Sequence, residues 1–213
     1  MCLRVASRLS LSLIINVGSS SEYGASDKPM SENDTLKPNR VYGVAKVAQT
    51  HLANLFASTT QTAMTTFRLF SVYGPWDDPT KVIPTLISYA RRRQPVPFSA
   101  PAVARDFVYV DDVVDAVLAF DKLSSHRGGI FNIGTGTQTT LLDLVTIASE
   151  FYDREVKVCW SQQMSNAWDA TCWRADITKT RTALGWQASH QIRDGFALTA
   201  RWMEEYQHDL SHR

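Results

Sequence analysis

The stretch Leu11-Ser12-Leu13-Ile14-Ile15-Asn16-Val17 decides how the chain begins to fold. Its leucines alternate with a serine before β-branched residues continue toward Gly18, which is typical of a buried strand. A hydroxyl-rich segment, Ser19-Ser20-Ser21, follows directly. The sequence therefore predicts a strand over residues 11–17 that ends in a serine cluster.

A long irregular segment separates this strand from a predicted helix. Residues 19–39 contain the structure-breaking residues Pro29, Asn33, Asp34, Pro38 and Asn39. Residues 41–57 then have helical periodicity, with a broad apolar stripe that consists of Val44, Val47, Ala48, Leu52 and Leu55. We expect this stripe to pack into the core. We expect the opposite face, which carries Tyr42 and Lys46, to line a cleft.

The pair Tyr42 and Lys46 suggests acid–base chemistry. Four residues apart on a helix, the two side chains lie on one face, and the ammonium group would favour the phenolate form of the tyrosine. Tyr42 is therefore a candidate general base for a sugar or alcohol hydroxyl. The spacing alone also arises by chance on exposed helices. Its position after a strand that ends in serines strengthens it, because open α/β sheets bind ligands beyond the carboxyl ends of their strands.

Strands and helices alternate along the rest of the chain. Strands are predicted over residues 65–72, 107–110, 130–133 and 156–160. Helices are predicted over residues 81–93, 111–123, 141–151, 175–184 and 194–206. This alternation predicts an α/β fold with a mostly parallel sheet.

Composition excludes several classes of function. The chain has 213 residues and a formal charge of +1, which argues against a general nucleic-acid binder. Its cysteines, Cys2, Cys159 and Cys172, lack the spacing of a metal site, so we predict no metal. They suit a reducing, cytoplasmic location. No apolar stretch approaches the roughly 18–20 residues of a membrane span, so we expect no membrane partner.

The first residues allow a second interpretation. Arg4 and Arg8 precede the apolar stretch and loosely imitate a short signal peptide. The strand pattern of residues 11–17 explains the same residues better.

Several sequence blocks occur in an order that is found in a known family. They are Gly18-Ser-Ser-Ser-Glu-Tyr-Gly24, Tyr42-Gly-Val-Ala-Lys46, Arg68-Leu-Phe-Ser-Val-Tyr-Gly-Pro75, Arg105-Asp-Phe-Val-Tyr-Val-Asp-Asp112, Phe131-Asn-Ile-Gly-Thr-Gly136 and Leu184-Gly-Trp186. With them the chain resembles the extended short-chain dehydrogenase/reductases, and among these the NAD-dependent sugar-nucleotide epimerases and dehydratases. The resemblance implies an incomplete Rossmann-like, doubly wound sheet with a small C-terminal α/β substrate-binding region.

The resemblance also implies catalytic roles. Tyr42 would be the base that takes the proton of the sugar hydroxyl, and Lys46 would assist it and hold the nicotinamide ribose of NAD. Ser20 is the preferred hydroxyl for bonding the reacting sugar oxygen, with Ser19 and Ser21 as alternatives because this loop is one residue shorter than in many relatives. Glu22 resembles the acid that dehydratases use, and its alternative is a loop carboxylate without a catalytic role.

The substrate is expected to be a nucleotide-diphosphate sugar. Ser71 occupies the position where many relatives have an asparagine that contacts the sugar nucleotide. Arg105 matches an arginine that reaches the substrate diphosphate in several relatives, and its alternative is a salt bridge to Asp111 or Asp112. A second diphosphate arginine is not obvious.

Two residues remain candidates for that second position. Asn166 falls near the expected place, and Arg174 is a potential substitute.

The glycine-rich loop of the family is missing from this sequence. Gly134-x-Gly136-x-x-Thr139 imitates it, but the third glycine is absent and Glu155 begins the next strand, whereas a ribose-binding acid should end it. We therefore expect the chain alone to bind NAD weakly or not at all. We also expect it to expose a sheet edge and an apolar face.

The resemblance divides the chain into two parts of one truncated domain. Residues of about 1–75 and 106–135 would be the remaining nucleotide-domain part, and residues of about 76–105 and 136–213 the substrate-binding part. Relatives often dimerise through the helices that correspond to residues 41–57 and 81–93. The alternatives are a partner chain that supplies the missing half, and a non-catalytic truncated or split product that binds sugar nucleotide or such a partner.

Overall fold

The computed structural model describes residues 11–161 and 172–210. The candidate features at Cys2, Arg4, Arg8 and Asn166 lie outside these residues. The strands are β1 (Leu13–Ser19), β2 (Ala63–Leu69), β3 (Ser71–Tyr73), β4 (Val96–Phe98), β5 (Ala104–Arg105), β6 (Phe107–Tyr109), β7 (Ile130–Ile133), β8 (Thr139–Thr140) and β9 (Val158–Trp160). The helices are α1 (Val41–Thr59), α2 (Val82–Arg91), α3 (Val110–Leu118), α4 (Phe120–Leu123), α5 (Leu141–Phe151), α6 (Thr178–Leu184) and α7 (Ile192–Leu210).

The predicted α/β fold with mostly parallel strands is confirmed. The main sheet has the order β1-β2-β7 and is parallel throughout, with Leu13 opposite Ala63 and Thr66 opposite Ile130. Two further parallel pairs, β3-β6 and β4-β9, and one antiparallel pair, β5-β8, extend the architecture. Among the described strands, β1 pairs with β2 alone and is therefore an edge.

The strand predicted over residues 65–72 is divided into β2 and β3. Phe70 lies between the two strands and is buried in a separate cluster with Tyr23, Met30 and Trp173. After this residue the backbone changes partners, because the amide of Ser71 donates to the carbonyl oxygen of Asp106. The change directs β3 to β6 and brings the residues of β3 to the carboxyl end of the main sheet.

Helix α1 packs with a different face from the one its apolar stripe indicates. Its buried residues are Gly43, Thr50, Ala53, Phe56 and Ala57. The predicted stripe is wrong as a core face, since Val44, Leu52 and Leu55 are 54%, 56% and 59% exposed. Small side chains decide the orientation because they let the helix lie close to β1 and the serine segment.

Two larger cores hold the remaining elements. The first contains Leu86 and Ile87 of α2, Leu144 of α5 and Phe196 of α7, all almost fully buried. The second lies between the main sheet and the later helices and contains buried residues of several elements: Phe67, Val108, Phe131, Leu184 and Trp186. Within the described residues, no helix combines the length and apolar character that crossing a membrane requires.

Candidate active site

Helix α1 approaches the serine segment at Gly43. A Cβ atom on Gly43 would lie 2.5 Å from the carbonyl oxygen of Ser21. Any larger residue would therefore push the helix away from the end of β1. This contact fixes the distance between the Tyr42–Lys46 face and the serines.

Tyr42 and Lys46 lie together above the end of β1. The Lys46 Nζ atom is 5.8 Å from the centroid of the Tyr42 ring. The same ammonium group donates to the carbonyl oxygen of Val17 at 2.8 Å and to Oε1 of Gln49 at 3.1 Å. Two of its three N–H donors are thus used by the protein, and one remains for a ligand.

Gln49 itself is held by the strand beneath it. Its Nε2 atom donates to Oδ1 of Asn16 at 2.6 Å and to the carbonyl oxygen of Val17 at 3.3 Å. Both partners are acceptors, so Oε1 of Gln49 must face Lys46. Sequence reasoning did not identify Gln49 or Asn16, because their roles depend on how α1 lies on β1.

The serine segment is a capped turn. Ser19 accepts a hydrogen bond from the amide of Ser21, and its own amide donates to Oε1 of Glu22 at 2.9 Å. Residues Ser20–Glu22 form a short 3₁₀ turn in which Ser20 and Glu22 are buried. Ser19 is the serine of this segment that lines a cavity at the carboxyl ends of β1 and β3.

Glu22 lies in a buried ion pair. Its Oε2 atom is 2.9 Å from Nε of Arg68, and the two side chains are 0% and 2% exposed. Thr50 donates to Oε1 of the same carboxylate, and Arg68 also donates to the hydroxyl of Tyr23. This position differs from that of an acid at the cavity wall, and it favours the alternative that Glu22 has no catalytic role.

Burial of this cluster also affects Tyr23. Desolvation raises its pKa to about 12, although the neighbouring Arg68 opposes the shift. Its hydroxyl donates to Oδ1 of Asn132 at 2.6 Å. Tyr23 is therefore a neutral structural tyrosine that connects the serine segment to β7.

A cavity of about 490 Å³ opens at the carboxyl ends of β1 and β3. Ser19, Tyr42, Ser71 and Arg105 all contribute to its lining, whereas Ser20 and Glu22 do not. The fold therefore brings Tyr42 together with both predicted substrate-binding residues. Ser19, one of the alternatives that the sequence left open, lies beside them in this lining.

Tyr73 is a second tyrosine in the cavity lining. Desolvation raises its pKa well above the ordinary value, and nearby Asp112 and Asp194 add to the shift. A phenol in this state keeps its proton at neutral pH. The hydroxyl of Tyr73 donates to the carbonyl oxygen of Ile192 at 3.5 Å, and Tyr73 is unsuited to act as a base.

Arg105 enters the cavity from β5. Its Nη1 atom donates to the carbonyl oxygen of Ala104, and the guanidinium lies 5.0 Å from the ring centroid of Trp173. The carboxylate of Asp112, one alternative partner, instead binds His190 at 2.9 Å and Ser189 at 2.7 Å. The stacked, planar cation suits a diphosphate.

The loop of residues 134–136 is filled by a protein carboxylate. Asp106 accepts hydrogen bonds from the amides of Thr135, Gly136 and Ala175. These donors are the groups that a phosphate would need. This loop is therefore a structural turn, as its sequence indicates.

The chain offers donors for one part of a dinucleotide. Lys46 and Tyr42 can contact a ribose and nicotinamide at the end of β1. The described residues contain no second glycine-rich turn at a helix N-terminus, where a pyrophosphate would bind. They also contain no cluster of at least three side chains suited to a metal ion.

Parallel strands with a cavity beyond their carboxyl ends define a protein of the Rossmann-like class. The model of the NAD dependent epimerase/dehydratase family matches residues 2–134, and the chain belongs to this family.

Similar proteins agree with this assignment. The dTDP-L-rhamnose 4-epimerase of Burkholderia thailandensis is 29% identical over 175 residues, which are 79% of this chain and 47% of that protein. UDP-glucuronate 4-epimerase 3 of Arabidopsis thaliana is also 29% identical, over 91% of this chain and 49% of its own length. The solved structure of MoeE5 in complex with UDP-glucuronic acid and NAD has a TM-score of 0.87 and 28% identity, and covers 95% of this chain and 68% of that one. The chain spans about half the length of these curated relatives.

Proposed function

We propose that this chain forms the sugar-binding wall of an NAD-dependent sugar-nucleotide epimerase or dehydratase. The reaction would oxidise a sugar carbon to a keto-sugar intermediate, which is then epimerised, dehydrated or reduced. The observation that carries the proposal is the shared cavity of Ser19, Tyr42, Ser71 and Arg105. Family membership supplies the cofactor class, because the family is NAD-dependent.

The proposed chemistry uses Tyr42 as the general base. Its hydroxyl, as the phenolate, would accept the proton of the reacting sugar hydroxyl. Lys46 lies beside Tyr42, with its Nζ atom 5.8 Å from the ring centroid, and has one N–H donor left for the ribose. When bound, NAD would supply the two-electron oxidation of the sugar carbon.

Ser19 would hold the reacting oxygen. Its hydroxyl lies in the same cavity as Tyr42, at the end of β1, where the capped turn limits its movement. A hydroxyl can both accept from and donate to the sugar oxygen, which suits an oxygen that changes from alcohol to ketone.

Arg105 and Ser71 would bind the rest of the substrate. A guanidinium matches the geometry of a diphosphate, and the smaller Ser71 leaves room in the cavity wall. UDP-glucuronic acid is bound by MoeE5, and dTDP-L-rhamnose names the substrate of the Burkholderia enzyme. We therefore assign this chain a nucleotide-diphosphate sugar, with residues 76–105 and 136–213 as its substrate-binding part.

A second candidate function is non-catalytic. The edge position of β1 favours it, since a partner that carries a glycine-rich unit could add a strand there. In that case the chain would bind sugar nucleotide or the partner without turning over substrate by itself.

Turnover separates the two functions. The purified chain is incubated with NAD and UDP-glucose, UDP-glucuronic acid or dTDP-glucose, alone and with a polypeptide that carries the family's glycine-rich strand–helix unit. Sugar products are followed by proton NMR. We expect product with the added polypeptide, a loss of about a hundredfold or more in Tyr42→Phe, and about tenfold in Ser19→Ala.

Matched variants test the assignment of roles. Ser20→Ala and Tyr206→Phe lie outside the cavity and should keep the wild-type rate. Product formation by Tyr42→Phe at the wild-type rate would overturn the assignment of the base. Binding without product under every condition would support the non-catalytic candidate instead.

A further inference from the structure

The charged residues of the cavity lining point to the class of sugar. They are Asp77, Lys81 and Arg105. Asp77 and Lys81 lie on the loop between β3 and α2, and both share the cavity with Tyr42. A pyranose that presents one hydroxyl to Tyr42 turns its other substituents toward the remaining walls, which include these two residues.

Asp77 and Lys81 neutralise each other. The Nζ atom of Lys81 lies 2.7 Å from Oδ1 of Asp77, and the aspartate side chain is only 10% exposed. The amide of Asp78 donates to the same Oδ1 atom at 2.9 Å. Among the described residues, Oδ2 of Asp77 has no hydrogen-bond partner.

The loop holds this pair rigidly. Thr80 donates from both its amide and its hydroxyl to Oδ1 of Asp78, and the amide of Lys81 donates to the carbonyl oxygen of Asp78. These bonds order residues 78–81, and the ion pair keeps Lys81 beside Asp77.

The cations of the cavity lining are Lys81, which is paired with Asp77, and Arg105. Lys81 is already paired, and a second carboxylate beside it would face Asp77 at close range, where like charges repel. Arg105, the other cation, is the residue proposed for the diphosphate. A neutral sugar hydroxyl, in contrast, can donate a charge-assisted hydrogen bond to Oδ2 of Asp77.

We propose that Asp77 is a specificity-determining residue, and that this site takes a nucleotide-diphosphate sugar with a neutral hexose or deoxyhexose rather than a hexuronic acid. The inference rests on the proposed function, because it assumes that the cavity binds a nucleotide sugar.

Calorimetric titration of the chain tests this preference without turnover. UDP-glucose and UDP-glucuronic acid differ only at C6 of the sugar, and UDP and dTDP-glucose complete the set. We expect UDP-glucose to bind about tenfold more tightly than UDP-glucuronic acid. Asp77→Asn removes the repulsion and frees Lys81, so the difference should fall to about twofold or reverse.

Control variants test whether a change in the affinity ratio is specific to Asp77. Asp115→Asn changes an exposed carboxylate on α3, outside the cavity, and should keep the wild-type ratio. Lys81→Met removes the nearby cation and should weaken UDP-glucuronic acid further. Equal affinities in the wild type, or an unchanged ratio in Asp77→Asn, would overturn the preference while leaving the proposed function intact. If neither UDP, UDP-glucose nor dTDP-glucose binds, the proposed function fails and this inference fails with it.

Discussion

Glu22 and Arg68 influence the geometry of the candidate site although neither residue lines its cavity. Their ion pair is fully buried and connects the serine turn to β2. Arg68 extends the contact to Tyr23, which in turn bonds to Asn132 on β7. The cluster therefore fixes the position of Ser19 relative to the main sheet, although none of its members lines the cavity.

Breaking this pair should destabilise the fold. Glu22→Gln leaves the guanidinium of Arg68 buried without its counter-charge, which costs about 3–5 kcal/mol. Urea unfolding followed by circular dichroism measures the change. Glu150→Gln in the exposed pair with Arg193 is the control, with an expected change below about 1 kcal/mol. Equal, small losses in the two variants would contradict the structural role of Glu22.

Single residues also mark the limit of sequence reasoning about the site. The motif order alone indicates Tyr42, Lys46, Ser71 and Arg105, because each lies in a block with a fixed place in the family. The choice among the serines depends on how the short turn after β1 is capped, which pattern does not reveal. Asp77 gives no signal in sequence, since its importance comes from a pairing that only the folded loop creates.

At the scale of elements, regular helices are predictable and their packing faces are less so. Helix α5 begins and ends where predicted, and its start is fixed by Thr140, which caps it and bonds reciprocally with Asp143. The helix predicted over residues 111–123 breaks at Ala119, between α3 and α4. Nothing in the apolar pattern indicates that break.

Helix α1 illustrates the stronger discrepancy. Val44, Leu52 and Leu55 are exposed, while the buried face consists of Phe56 and of glycine, alanine and threonine residues. Periodicity shows only where apolar residues lie along the helix. It does not distinguish a face that packs into the core from an apolar face that is exposed to solvent. An exposed apolar stripe of this length is typical of an interaction site.

We expect this stripe to mediate a homodimer. Replacing Leu52 and Leu55 with lysine places charges in the stripe and should convert a concentration-dependent dimer into a monomer, because association would bury both leucines. Sedimentation equilibrium measures the change. Leu142→Lys alters a comparably exposed leucine on α5 and should not affect association. A wild-type chain that stays monomeric at high micromolar concentration would contradict the prediction.

At the scale of the whole molecule, the cleft has one well-formed wall. Parallel strands bring the serine turn, Tyr42 and the Asp77 loop to one cavity. Beside this wall, β1 is an edge strand among the described strands, and Val17 at its end is 48% exposed. The glycine-rich turn that would hold a pyrophosphate is absent from the described residues. We therefore expect this chain to bind the sugar nucleotide by itself and to bind the cofactor weakly or not at all.

Titration of the purified chain with NAD tests this separation most directly. Fluorescence or calorimetry is recorded for the chain alone and with a polypeptide that carries the glycine-rich strand–helix unit. We predict a Kd weaker than about 1 mM for the chain alone and saturable binding when the polypeptide is present. Micromolar binding of NAD by the isolated chain would contradict the expectation that it lacks a complete cofactor site.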